Sequence, residues 1–149
     1  MKRLFILLGM VYATILTQAQ YSAPEGEVPA YHATPPSKNE ALPAVMTEQQ
    51  LANAGLNAPA QRAAYKAATR IPAVLHQLPC YCYCDRAHGH KSLHSCFESA
   101  HGANCGVCMG EALYAYKMSK KGWTAKMIRE GIMRGEYKSM DLQNPDPVL

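Results

Sequence analysis

Apolar residues along this chain follow three regimes. From Leu4 to Leu16 they run nearly unbroken for 13 positions. From Gln20 to Val45 they thin out among Pro24, Pro29, Pro35, Pro36 and Pro43. From Met46 to Gly135 they recur at spacings of three and four, the period of helices with a buried face. No internal repeat stands out, and no alternation convincing enough for a sheet. The pattern predicts a mostly α fold: a small helical domain interrupted by one irregular or extended segment.

Local signals divide the third regime. Thr47 with Gln50 three residues on has the form of a capping box and predicts a helix start. Asn57 with Pro59 behind it predicts a second start, whose Ala60, Ala63, Ala64, Ala67 and Ala68 form a small-residue face. Pro72 cannot lie deep in a helix, so a break near Arg70 and a short helix from Pro72 to Gln77 follow. Further on, Met109, Ala112, Leu113 and Tyr116 share one helical face. Glu111 in the first turn and Lys117, Lys120 and Lys121 in the last suit the macrodipole, with Gly122 as C-cap. Thr124 caps a final helix, Trp123 and Ile128 being spaced as a hydrophobic staple, and Gly135 stops it. Met109, Met118 and Met127 read as core filling rather than as soft-metal ligands.

The first regime has the form of a targeting signal. Lys2 and Arg3 precede the apolar run, and Thr17-Gln18-Ala19 ends on the small residue that signal peptidase requires. A membrane span needs about 20 apolar residues, so the run is short for an anchor. The expected organisation is a signal peptide over 1–19, a Pro-rich disordered linker over 20–45, a helical Cys-rich domain over 46–135 and a flexible tail over 136–149. The chain is then exported, to a periplasmic or extracellular location, with no stable membrane anchor after cleavage near Ala19. Without a twin arginine the route is of the Sec type, so a metal would be acquired after export.

Charge changes the picture little. Without Lys2 and Arg3 the chain keeps 13 of its 15 basic residues against 11 acidic ones. No basic run is interleaved with aromatics, which argues against a nucleic-acid partner. No nucleophile elbow, phosphate loop or carboxylate pair supports a hydrolytic enzyme. Asp85, Glu98 and Glu111 read as solvated or capping residues.

Cysteine carries the chemistry. All six cysteines, Cys80, Cys82, Cys84, Cys96, Cys105 and Cys108, fall within 29 residues, together with His88, His90, His94 and His101. The Cys-x-Cys-x-Cys spacing has period two, so an extended segment would turn three thiols to one face, with Tyr81 and Tyr83 on the other. Cys105 and Cys108 fall at the start of the helix that carries Glu111, where a thiolate is stabilised. Cys96 falls on a short helix beginning near Ser92.

Pro79–Cys84, Gly89-His90-Lys91-Ser92-Leu93, Cys96-Phe97, His101-Gly102-Ala103, Cys105-x-x-Cys108 and Glu111-Ala112 together resemble the bacterial PCYCGC-motif proteins, also described as the CYCXC family of (seleno)proteins. The resemblance implies an exported protein, in many relatives a lipoprotein, of unsettled biochemical function. Some relatives carry selenocysteine in the first motif, which implies a chemical role for the sulfur positions. This chain departs from the pattern at Tyr83, where many relatives have glycine, and in having no lipobox cysteine.

Three functions suit the segment. Soft-metal binding, of Cu(I) or Zn(II), would use Cys80, Cys82, Cys84, Cys96, Cys105 and Cys108, with His94 or His101 as supplementary ligands. The partner would be the metal ion and an exported redox or metallochaperone protein. Thiol–disulfide exchange would use Cys105 as the activated thiol. Three structural disulfides would staple a small domain whose core is marginal unaided.

Overall fold

The computed structural model describes residues 26–146. The signal peptide expected over 1–19 lies outside the described residues. Six α-helices follow in order: α1 (Glu48–Asn53), α2 (Pro59–Arg70), α3 (Pro72–Leu75), α4 (Cys84–His88), α5 (Gly106–Lys120) and α6 (Ala125–Met133). Short 3-10 turns cover Leu93–Phe97, Gly102–Asn104 and Glu136–Ser139. The described residues contain no strand, and the Cys-rich segment lies between α3 and α5. None of the described helices is long and apolar enough to cross a membrane.

Capping chemistry sets most of these bounds. Thr47 and Gln50 close a reciprocal box at the start of α1. The second start falls one residue later than predicted, on Ala58, whose N–H donates to Gln61 Oε1 (2.9 Å). Asn57 therefore does not cap α2. Ile71 leaves helical geometry between α2 and α3, as Pro72 demands. At the end of α5, Gly122 adopts φ +82. The Gly122 and Trp123 N–H groups then reach back to the Ser119 and Met118 carbonyls, a Schellman closure. Thr124 caps α6 by accepting from the Met127 N–H.

The core sits around α5. The predicted face of Met109, Ala112, Leu113 and Tyr116 understates its burial, because Cys108, Gly110, Glu111, Tyr114, Ala115 and Met118 are buried as well. A helix covered all round is a central helix. The alanine face of α2 lies on it, and small residues let the two backbones approach closely. Gly131 of α6 serves the same end: a Cβ there would collide with the Tyr114 hydroxyl, which donates to Glu136.

The Pro-rich stretch has no helix over 26–45, but it lies against the domain rather than apart from it. Pro29 is buried, and the Ala30 N–H donates to Asp85 Oδ2 (3.0 Å). His32 stacks on His76 with ring centroids 3.8 Å apart. The Met46 N–H donates to the Phe97 carbonyl. Much of this docking uses backbone groups, which composition does not reveal. Beyond Gly135, Tyr137, Met140 and Leu142 also pack on the core, so the start of the expected tail is ordered against it.

Candidate metal centre

The cysteine segment turns where period two predicts extension. The Tyr83 N–H donates to the Cys80 carbonyl (3.0 Å), closing a turn over Cys80–Tyr83. Tyr83 then takes φ +56, the left-handed region that favours glycine. That is the position where many relatives of the resembled family have glycine. The three thiols therefore do not form one strip. Cys80 and Cys82 remain together, and Cys84 is carried off as the first residue of α4.

Two donor groups result. In the first, the sulfurs of Cys80, Cys82 and Cys108 form a triangle with sides of 3.3, 3.3 and 3.6 Å. In the second, the Cys84 and Cys96 sulfurs are 3.3 Å apart. His90 Nδ1 is 3.1 Å from the first of these and 3.3 Å from the second. His101 completes this set, with all four donor atoms within 4.8 Å of one another. Cys105 is the N-cap residue of α5 and is half-buried. It lines a cavity of about 260 Å³ together with Cys82, Cys84 and His101.

His94 does not join either group. It is only 2% exposed, and its Nδ1 faces Glu98 Oε1 at 3.0 Å, one helical turn along. His90 takes the ligand position expected of His94. Gly89 ends α4 at φ +68 and reverses the chain so that His90 returns to Cys84. A glycine directly before a histidine, midway between two cysteines, was the available signal.

Glu111 was the other residue missed. It is completely buried, and its Oε1 accepts the Tyr81 N–H (2.9 Å) while Oε2 has no partner. Burial pushes its carboxyl well above the usual range, against the pull of the Tyr81 N–H. Position i+3 from Cys108 places it on the face of that cysteine, which helical spacing could have shown.

Crowding divides the thiols electrostatically. Cys82 is pushed far down by S–H contacts from Cys105, Cys108 and Cys80. Cys84 is lowered to about 3, chiefly by Cys108 and Cys80. Cys108, surrounded by Cys105, Cys80, Cys82 and Cys84, is pushed far up. Cys105 is also raised: its contact with Cys108 lowers it, but the Cys82 contact and burial prevail. The helix-start position thus does not make Cys105 the activated thiol. The crowded thiols therefore titrate as a coupled set, with Cys82 and Cys84 favoured as thiolates over Cys108 and Cys105.

The donor set fits a tetrahedral thiolate–imidazole centre. A metal–sulfur bond of about 2.3 Å gives a sulfur–sulfur edge of roughly 3.8 Å in a tetrahedron. The observed separations are a few tenths shorter, within the reach of small side-chain rotations. Glu111, completely buried, anchors the turn that carries Cys80 and Cys82 through the Tyr81 N–H.

Fold and site together define a small helical protein with a buried Cys/His cluster that could hold a metal ion. A family model described as a protein of unknown function with PCYCGC motif matches residues 37–146, and the chain belongs to that family. Neither a curated protein nor a solved structure matches it.

Proposed function

We propose that the protein binds soft d10 metal ions, Cu(I) or Zn(II), through Cys84, His90, Cys96 and His101 and through Cys80, Cys82 and Cys108. The observation that carries this reading is the convergence of two sulfurs and two imidazoles within 4.8 Å, from four separate positions in the segment. Two cysteines and two histidines are a common zinc set, and thiolates also select Cu(I). Deprotonation of the remaining thiols would accompany binding. The setting that suits this function is outside the cytoplasm, after removal of residues 1–19, with a metallochaperone or redox protein as partner.

Metal content of the reduced full chain after exposure to Cu(I) or Zn(II) tests the reading. About one to two equivalents, resistant to a weak chelator, is the expected result. Retention of none under either metal overturns it.

Thiol redox chemistry is the second reading, favoured by the lowered Cys84 thiol 3.3 Å from Cys96. Here the Cys84 thiolate and Cys96 thiol would give two electrons and one proton to a partner disulfide, forming one sulfur–sulfur bond, and a proton from water would complete the partner's reduction to two thiols. A Cys84–Cys96 potential below about −300 mV, typical of structural disulfides, would count against it.

A further inference from the structure

The two donor groups share one opening. Cys80, Cys84, Cys96 and Cys108 are buried, whereas Cys82 and Cys105 are half-buried at the wall of the 260 Å³ cavity. That cavity touches both groups, Cys82 of the first and Cys84 and His101 of the second. Its rim carries His88 and Ala87, both exposed.

His88 does not belong to either donor set. Its ring nevertheless lies against the ligand rings, with its centroid 4.6 Å from that of His101 and 5.7 Å from that of His90. His90 and His101 are themselves 4.8 Å apart. Three imidazoles therefore form a triangle, two facing the Cys84–Cys96 pair and the third facing solvent. Neutral imidazole is the commonest protein metal ligand.

We propose that His88 is a relay ligand, through which metal enters and leaves the Cys84–His90–Cys96–His101 centre by way of this cavity. The inference rests on the metal-binding reading above. Exchange proceeds one bond at a time. On release, His88 forms a bond to the ion as a cysteine sulfur gives one up, and the freed thiolate takes a proton from water. An external ligand then displaces the remaining protein donors. Uptake runs the same steps in reverse. A cavity of this size admits a single small ligand group, a thiol or an imidazole, rather than a folded surface. No electron transfer is involved, and the charge on the metal is unchanged.

The test follows metal transfer from the loaded full chain to a chromophoric chelator by stopped flow, alongside equilibrium affinity and stoichiometry. His88→Ala is expected to slow transfer by about tenfold, the loss of one bonding interaction from the exchange transition state. Stoichiometry and equilibrium affinity stay at wild-type values. Ala87→Phe, which narrows the same rim without removing a donor, is expected to slow transfer as well. A wild-type transfer rate in His88→Ala overturns the relay, whatever Ala87→Phe does, and a wild-type rate in Ala87→Phe overturns the cavity as its route. So does a lower affinity or stoichiometry in His88→Ala, since His88 would then be a resident ligand. If the wild-type chain retains no metal at all, the binding reading fails and the relay falls with it.

Discussion

Gly102 offers a test of how the fold builds the site. It follows His101 and opens the 3-10 turn Gly102–Asn104. A Cβ on Gly102 would stand 2.8 Å from the Cys96 carbonyl oxygen and 3.1 Å from the edge of the Phe97 ring. Carbon–oxygen contacts settle near 3.3–3.6 Å, so a Gly102→Ala turn must retreat by about 0.5 Å. The obstacle is backbone and cannot swing away. Behind it, the Phe97 carbonyl accepts the Met46 N–H, and the Phe97 ring is fully buried edge-on to Tyr65. Overpacking of this kind costs about 1–3 kcal/mol. For a domain of this size that lowers Tm by roughly 10 °C. The same retreat carries His101 away from the Cys84–Cys96 pair, and affinity at that centre should fall about tenfold. The Cys80–Cys82–Cys108 group should keep its affinity. Gly55→Ala is the control, because a Cβ there meets nothing within 4 Å, and the left-handed φ of +74 alone costs about 1 kcal/mol. Thermal melts of the reduced protein and chelator titrations of the loaded protein give the two readouts. A Gly102→Ala protein that melts within about 2 °C of wild type and binds metal normally would refute the close-approach argument.

Three further outcomes follow from the geometry. His90→Ala should lower the affinity or stoichiometry of metal binding, while His94→Ala leaves both unchanged and costs only stability; a chelator titration showing the opposite order would restore His94 as the ligand. Tyr65→Phe removes a hydroxyl that donates to the Ser99 carbonyl and accepts the Ala103 N–H, leaving the buried Ala103 N–H without that partner; a loss of about 1–3 kcal/mol in urea unfolding is expected, and a change under about 0.5 kcal/mol would contradict it. His76 is held below its ordinary 6.5 by burial and then by stacked His32, with His94 adding to the effect and Glu40 opposing it. The unfolded chain binds more protons there, so this contribution is complete above about pH 6.5 and is lost as pH falls through 6.5 towards the folded value. Melts between about pH 7.5 and pH 5 should show a decline that His76→Gln reduces, and equal slopes would show that His76 is not its source.

The sequence exposed the helices where capping chemistry is local. Thr47 with Gln50, Pro72, Gly122 and Thr124 each act over three or four residues, and the structure repeats them. It exposed the location of the site for a different reason: six cysteines crowd into 29 residues. The internal layout was hidden because period two speaks for a strand only if the backbone is extended. The left-handed Tyr83 breaks that condition, and the glycine of related chains was the hint. His94 looked equivalent to His90 because sequence spacing does not show the reversal at Gly89. The docking of 26–45 was hidden in backbone hydrogen bonds made across large separations, such as that of Ala30 with Asp85.

Glu111 and Tyr65 bear on whether the motif is portable. A peptide spanning residues 80–108 would carry every donor of both groups. It would lack the carboxyl that holds the Tyr81 N–H, the Leu78 carbonyl that receives the Leu93 N–H, and the hydroxyl that bridges Ser99 and Ala103. Each donor would then have to be brought to the ion against the conformational freedom of the chain, at about 1–2 kcal/mol per residue ordered. The ligand list therefore belongs to the segment, whereas the preorganisation belongs to the helices around it. Grafting the cysteines and histidines into another loop would transfer the chemistry without the affinity.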